Sequence, residues 1–387
     1  MILKNKKIAS VDKYLSFIVP LLIVFGLVML FSASLAVSQS NFGEPYHYVR
    51  GQIFGLIFGL FLFFLFFKID YHFFKKYSFL FLILSVALLI LVFVPGLGNE
   101  YGTSRSWIVV FGKSFQVSEF VKLFFLFYLA AWLESKKDDL KKFSTGIFPF
   151  LVVLTTIGVL ILKQPDLGTF LIIFFVSLMV YLVAGGNLSH LFVLFLIMII
   201  GILFIFNSMN SEGDKGLIKE YQINRIKCLQ NPDFDRDICY QVNQSLIAVG
   251  SGGLWGRGLG ESRQKFNYLP EVWADSIFPI IAEEIGFIGS LILILIYLFI
   301  FIRGMKIASR APDLFGQSLA VGISVWIFFQ AFLNIAGMMN LVPMTGVPLP
   351  FISAGGTSLS VLLAAFGILL NISRQVVDEK NNFYEKQ

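Results

Sequence analysis

Long apolar runs separated by short polar stretches recur along nearly the whole of this 387-residue chain. A helix needs roughly 20 apolar residues to cross a hydrocarbon core about 30 Å thick. The runs are of that order and do not alternate with period two, so they predict spanning helices rather than barrel strands. About ten spans are expected, centred near Phe25, Phe58, Ala87, Phe125, Leu154, Phe175, Leu196, Leu293, Phe328 and Leu363. Only Lys163-Gln-Pro-Asp-Leu separates the fifth from the sixth, the weakest boundary. The fold class is therefore all-α: a polytopic membrane protein, one integral-membrane domain over residues 1–387. Near its end, Asn340 to Ser358 holds three prolines and three glycines, which cannot form an uninterrupted helix. Irregular backbone at membrane depth is tolerated where protein buries it or where it lines a cavity. This segment is expected to be a re-entrant loop or a cavity wall.

Composition agrees: 57% of residues are hydrophobic and 14% charged, against about a quarter charged in soluble domains. Lysine and arginine concentrate in residues 1–13, 68–76, 136–142, 303–310 and 374–387. By the positive-inside rule both termini are expected to be cytoplasmic, 1–13 as the N-terminus and 374–387 as a tail. Lys4, Lys6 and Lys7 precede an apolar run too long for a cleaved signal, so the first span is read as a retained start-transfer helix. Residues 207–275, between spans seven and eight, fall outside by parity despite Lys215, Lys219, Arg225, Lys227, Arg236, Arg257, Arg263 and Lys265. A loop this long is largely exempt from the rule, and long loops in compact proteins are usually functional or disordered. Both cysteines, Cys228 and Cys239, lie in it. In an oxidising compartment they can form a disulfide worth roughly 2.5–3 kcal/mol of local order. The alternative is two free thiols, and two thiols without nearby histidines leave zinc short of ligands.

The candidate chemistry gathers at helix ends. Asp275 stands where that polar loop enters an apolar helix, downstream of a glycine-rich run, Gly250 to Gly260, and of Arg263 and Lys265. The run lacks the lysine and serine/threonine ending of a Walker motif, so its glycines are expected to let backbone approach a ligand rather than to bind ATP. Glu119 and Lys122, three apart at the head of a helix, share a face and can pair. The pair is either structural or substrate-facing. Asp166 opens the sixth span, where capping alone or a place beside Asp275 would explain it. Arg105 suits a phosphate oxygen, and Trp107 a sugar face or the bilayer interface. Of the neighbours Glu283 and Glu284, at most one can face the cavity of Asp275, and Glu283 is the expected one.

Taken together, Gln116-Val-Ser-Glu119-Phe-Val-Lys122, Gln164-Pro-Asp166-Leu-Gly-Thr169, Leu269-Pro-Glu271 with Asp275-Ser-Ile-Phe and Glu283-Glu284-Ile-Gly286, and Pro343-Met-Thr-Gly-Val-Pro-Leu-Pro-Phe-Ile-Ser353 resemble the SEDS family (shape, elongation, division and sporulation). The motifs keep the family's order from about residue 15 to 375. Gly258 to Glu271 looks more like the division branch than the elongation branch. Three departures stand out: Ala354 where tyrosine is usual, Val117 for a proline, and Trp273-Ala274 where a threonine precedes the aspartate.

The resemblance implies a glycosyltransferase that polymerises lipid II, a disaccharide-pentapeptide on undecaprenyl diphosphate, during septal wall synthesis at the bacterial cytoplasmic membrane. Asp275 takes the catalytic role, accepting the proton of an acceptor sugar hydroxyl. Arg105, Lys113, Arg257, Arg263 and Lys265 are candidates to hold the diphosphate, with Trp107, Glu119, Lys122, Asp166 and Glu271 as further substrate-binding candidates. A divalent cation is an alternative carrier of positive charge, for which the sequence offers no ligand cluster. The implied partners are a class B penicillin-binding protein and other divisome membrane proteins, with no nucleic acid and no nucleotide sugar. Rival readings are an elongation polymerase, a lipid II flippase and a recruiting scaffold. A flippase should carry polar groups through the full membrane depth, whereas Glu119, Lys122, Asp166 and Asp275 gather toward one side.

Overall fold

The computed structural model describes residues 10–101, 104–110, 113–189, 192 and 220–375. Its helices are α1 (Lys13–Phe42), α2 (His47–Lys68), a short α3 (His72–Lys76), α4 (Ser78–Leu91), α5 (Val117–Ser135), α6 (Phe148–Leu162) after a π-helical turn at Phe143–Ile147, α7 (Leu167–Val183), α8 (Glu220–Gln230), α9 (Tyr240–Ser251), α10 (Ile277–Ala308), α11 (Leu314–Met338) and α12 (Gly356–Arg374). Among the described residues, six helices are long and apolar enough to cross a membrane, and the apolar helices α4 and α7 are shorter. The centre expected near Leu196 lies outside the described residues, as do Lys215, Lys219, residues 1–9 and residues 376–387. Every other expected centre falls within a helix. The protein is a multi-pass helical membrane protein.

Two stretches differ from the sequence reading. The stretch with Arg105 and Trp107, expected in an outer loop with Lys113 beyond it, lies in an antiparallel sheet in the order β1 (Gly98–Tyr101), β2 (Ser104–Val110), β3 (Lys113–Gln116). Trp107 pairs with both Asn99 and Gln116, so the sheet delivers the chain directly into α5. The run from Ser106 to Val110 is too short for a span, and β-branched and aromatic residues in such a run favour strand. Residues 220–275, expected as loop, contain α8 and α9, joined by the disulfide Cys228–Cys239.

Helices α11 and α12 form the centre, with apolar windows 83% and 89% buried, whereas those of α2 and α10 are 17% and 28% buried and turn outward. Outward apolar faces are what a hydrocarbon solvent requires. Helix α12 lies against α2 backbone to backbone: a Cβ at Gly55 would sit 2.3 Å from the Cα of Gly356, and one at Gly367 2.6 Å from the Phe63 carbonyl. Gln52 of α2 adds a two-way clasp, donating to the Ser353 carbonyl (3.0 Å) and accepting from Gly355 N–H (2.9 Å). The start of α1 meets the far ends of α10 and α12, where the Asp12 carboxylate pairs with Arg303 and the Asp12 N–H donates to Ser373 Oγ (3.3 Å). Asp275 is at the opposite end of α10.

Helix α10 is broken at Gly286, whose φ of 70° and ψ of −170° are not helical. In an unbroken helix Phe287 and Ile288 N–H would donate to the Glu283 and Glu284 carbonyls. Here those N–H groups donate to Gly253 (2.9 Å) and Leu254 (3.2 Å), and the two carbonyls accept from Arg257 (3.0 Å) and Gly258 (3.0 Å). The glycine-rich run therefore approaches helix backbone, which corrects the expectation that it approaches a ligand. Contact this close excludes side chains: a Cβ at Gly256 would meet the Glu284 carbonyl at 2.2 Å and one at Gly286 would meet Gly256 N at 2.2 Å. Gly286→Ala is expected to destabilise the purified protein by at least about 2 kcal/mol, from positive-φ strain and backbone overlap together. Gly250→Ala, at a helical position with nothing within 4 Å, is expected to leave the thermal midpoint unchanged or raise it. Equal midpoints for the two variants would contradict this account.

Candidate active site

The residues from Leu269 to Ser276 make a tight turn onto the start of α10. Glu271 adopts φ 53°, an uncommon conformation for a non-glycine residue. Its carbonyl accepts from both Ala274 N–H (2.9 Å) and Ser276 N–H (3.2 Å), which brings Asp275 to the helix start. From α11, Asn334 Nδ2 donates to the Asp275 carbonyl (2.7 Å) and to the Val347 carbonyl (2.8 Å). One amide thus ties the Asp275 turn to the proline-glycine segment. That segment passes in front of the carboxylate: a Cβ on Gly346, at φ 73°, would stand 3.7 Å from Asp275 Oδ2.

Asp275 is half-buried. Burial pushes its carboxyl up to about 6, against the Arg225 charge and hydrogen bonds from its own backbone and from Ser276, which pull it down. Glu271, open to solvent on one flank, is pushed up to about 7 by burial on the other and by the nearby Asp275 charge. Two carboxyls with pKa values raised toward neutrality at one cleft are a recognised mark of acid-base chemistry. Arg225 was counted in the sequence only among the loop's basic residues. It lies on α8, where Nη1 donates to the Met344 carbonyl (2.7 Å), two residues from Gly346. Chain separation hid this approach, and only the segment from Glu220, once seen as helical, signals a defined direction for its side chains.

The other candidates divide into two groups. Asp166 caps α7, accepting from Thr169 N–H at 3.0 Å. Helix α7 starts against the same segment, since a Cβ on Gly168 would meet Val347 Cγ1 at 2.3 Å and Thr345 Cβ at 3.2 Å. Lys122 donates to Glu119 (2.8 Å) and to Gln330 Oε1 (2.9 Å), with the Trp326 ring centred 4.8 Å away. Gln330 in turn donates to the Pro348 carbonyl (2.9 Å). Asp275, Asp166, Glu119 and Lys122 are thereby joined through residues 344–348. Around that segment Asp166 Oδ2, Glu119 Oε2, Asn334 Oδ1 and Thr345 Oγ1 are buried without a protein hydrogen-bond partner. Buried acceptors of this kind are costly unless something else completes them.

The second group belongs to the broken helix. Glu283, expected to face the cavity of Asp275, instead accepts from Ser262 Oγ (2.5 Å), Ser251 Oγ (3.2 Å), Arg263 N–H (3.2 Å) and Gln264 N–H (3.2 Å). The irregular chain over the break needs an acceptor for its own polar groups, and Glu283 supplies it. Arg257 lies 3.5 Å from the same carboxylate with its side chain 31% exposed. Lys265 is enclosed, donating to Glu284 (3.0 Å), Ser32 Oγ (2.9 Å) and the Gly260 carbonyl (2.5 Å). Arg263 is exposed. Trp107 sits in β2 and is half-buried, while the side chains of Arg105 and Lys113 lie outside the described residues. Two departures from the family pattern meet in space: Ala354 N–H donates to the Trp273 carbonyl (2.7 Å), and the Trp273 ring stacks on Tyr48 at 4.5 Å. Among the described residues no group of three or more His, Cys, Asp or Glu could hold a metal ion.

Because Glu119 and Lys122 are both buried, Lys122→Met alone is expected to cost about 3–5 kcal/mol by stranding a carboxylate. The double variant Glu119→Gln/Lys122→Met should recover most of that in thermal unfolding. Additive losses would show that the two do not act as a pair.

Residues 12–378 match the model of the cell cycle protein family that comprises FtsW, RodA and SpoVE. Stage V sporulation protein E of Bacillus subtilis is 39% identical over 95% of this chain and 98% of its own length. The probable peptidoglycan glycosyltransferase FtsW of Trichlorobacter lovleyi is 36% identical over 96% of this chain and 95% of its own. A solved structure described as coordinating polymerisation and crosslinking in a peptidoglycan synthase complex superposes with a TM-score of 0.76 at 26% identity, covering 94% of this chain and 98% of that one. On the strength of a match that spans nearly its whole length, this chain belongs to the FtsW/RodA/SpoVE family of cell cycle proteins.

Proposed function

We propose that this protein is a peptidoglycan glycosyltransferase that polymerises lipid II into glycan strands, with Asp275 as the general base. The observation that carries the reading is the Asp275 carboxylate, on a turn fixed at the start of a spanning helix and facing Gly346, beside unpartnered buried acceptors. In the reaction the acceptor sugar hydroxyl loses its proton to the carboxylate as its oxygen attacks the anomeric carbon of the donor. The bond from that carbon to the lipid diphosphate breaks, and the diphosphate leaves with its electron pair. A base raised to about 6 is still mostly ionised at neutral pH and more basic than an ordinary aspartate, which suits proton abstraction. Arg225, beside the carboxylate, and the exposed Arg257 and Arg263 are the described cations that would meet the diphosphate. Glu119, Lys122 and Asp166 would hold polar groups of the sugars or peptide behind residues 344–348, with Glu271, whose carboxyl feels the Asp275 charge, and Trp107 of the sheet as further candidates to meet the sugars. Lys265 would act indirectly, by neutralising Glu284 under the glycine-rich run.

The site lies at the end opposite the joined ends of α1 and α12, which supports cytoplasmic termini and an outward-facing reaction centre for the whole unit 1–387. The donor's lipid tail then stays in hydrocarbon while its diphosphate and sugars reach the site. The relatives' names include both FtsW and stage V sporulation protein E, and the sequence of Gly258 to Glu271 favours septal synthesis in division. A class B penicillin-binding protein, within a divisome assembly, is the partner expected to crosslink the strands.

Polymerisation of purified lipid II by the partner complex tests this. Asp275→Asn is expected to lower kcat at least about 100-fold, the lower end of what general-base catalysis contributes, with lipid II still bound. Wild-type rates in that variant would remove Asp275 from the chemistry. For the wild type, only the carboxylate form accepts the proton, so activity should be full above neutrality and fall as pH drops through about 6. A flat profile down to pH 5 would contradict the assignment.

A further inference from the structure

The disulfide Cys228–Cys239 is buried with the apolar core, and each half-cystine lies on, or directly before, a helix that carries a side chain to the Asp275 turn or to the segment that faces it. Cys228 is on α8, one turn after Arg225, so the two share a helix face. Arg225 reaches the Met344 carbonyl from there, two residues before the glycine that faces Asp275 Oδ2. Cys239 is the residue that precedes α9. Two residues on, within the first turn of that helix, Gln241 Nε2 donates to Ser276 Oγ (2.9 Å), which lies 3.4 Å from Asp275 Oδ1. The bond brings the two helices to a Cα separation of 5.4 Å, and both sulfurs are buried, at 2% and 0% residue exposure. The other tie on this side of α8 is peripheral: Asn340, in the left-handed conformation just beyond α11, donates to the Cys228 carbonyl at 3.3 Å.

We propose that the Cys228–Cys239 bond is a positioning element of the active site, a staple that holds Arg225 and the Gln241–Ser276 pair beside the Asp275 carboxylate. The bond does not touch substrate; it acts through Arg225. The charged and titratable groups that surround Asp275 are Glu271 from its own turn, Arg225 from α8, Tyr48 from α2 behind Glu271, and Asp166 from α7 beyond Thr345. From α9 and α11 come only the neutral amides Gln241 and Asn334. Arg225 is therefore the one cation among these named neighbours, and its displacement leaves acids and a phenol around the carboxylate. Losing the staple should make Asp275 harder to ionise.

The test compares wild type, Cys228→Ala/Cys239→Ala, Arg225→Gln and the triple variant, all as the full chain in detergent with its partner. Two readouts are taken: the pH profile of lipid II polymerisation, and the pH dependence of carbodiimide labelling of Asp275 followed by mass spectrometry, which reports the protonated carboxyl without turnover. The cysteine-free protein is expected to shift both curves upward by about one pH unit, as loss of a nearby opposite charge does. Arg225→Gln should give the same shift, and the triple variant no more than either, because staple and cation act in series. The polymerisation curve rests on the reading of Asp275 as the base, whereas the labelling curve does not. No polymer from wild type with the expected labelling shift would refute that reading and leave the staple standing. Unchanged labelling in the cysteine-free protein would overturn the staple, as would a shift that adds fully to that of Arg225→Gln. Failure of the cysteine-free protein to fold while Arg225→Gln labels like wild type would also overturn it, making the bond a general stabiliser.

Discussion

Backbone polar groups inside a bilayer have no water to turn to, and the break in α10 at Gly286 is where this protein meets that constraint most directly. Four helical groups lose their partners there and find new ones in Gly253, Leu254, Arg257 and Gly258. Much of the outer architecture follows. The glycine-rich run must lie on the helix, so at Gly252 and Gly256, where a Cβ would meet the Ala282 and Glu284 carbonyls at 2.1 and 2.2 Å, it can bear no side chain. Its own polar groups then need acceptors at depth, which Glu283 provides, and Lys265 neutralises the adjacent Glu284. The chain returning from this cradle has only a few residues in which to reach Ser276, and the αL turn at Glu271 is how it does so.

The same constraint shapes the opposite wall. Residues 343–353 are not helical, and their carbonyls at Val347 and Pro348 are satisfied by Asn334 and Gln330, one helical turn apart on α11. Those amides also reach the functional groups, Asn334 to the Asp275 backbone and Gln330 to Lys122 and Trp326. A single helix face thus sets the spacing between the proposed base and the buried Glu119–Lys122 pair. Rigid elements that hold a side chain by hydrogen bonds on both flanks are what preorganised catalysis needs.

Much of this was legible in the sequence where the signal is local. Apolar run length gives the helices, proline and glycine density gives the irregular wall, and an aspartate at a loop-to-helix junction marks the carboxylate proposed as the base. What was not legible depended on contacts across the chain. Arg225 could not be told from seven other basic residues of its loop until α8 brought it to Met344. Glu283 and Lys265 read as free charges because nothing local reveals that a broken helix consumes them. The strands at 98–116 were missed for a different reason: between long apolar runs, a short β-branched stretch is overshadowed by the helical signal around it. Ala354 and Trp273 read as separate departures, yet they adjoin in space through a backbone hydrogen bond.

The account's central claim is that the Asp275 carboxylate, and not the deeper Glu119–Lys122 pair, takes the acceptor proton. The most direct measurement is a structure of the partner complex bound to an unreactive lipid II analogue, reading the distance from the acceptor sugar hydroxyl to each group. The account predicts that hydroxyl within about 3 Å of an Asp275 carboxylate oxygen, or one water away. A hydroxyl hydrogen-bonded to Glu119 or Lys122, with Asp275 out of reach, would contradict it.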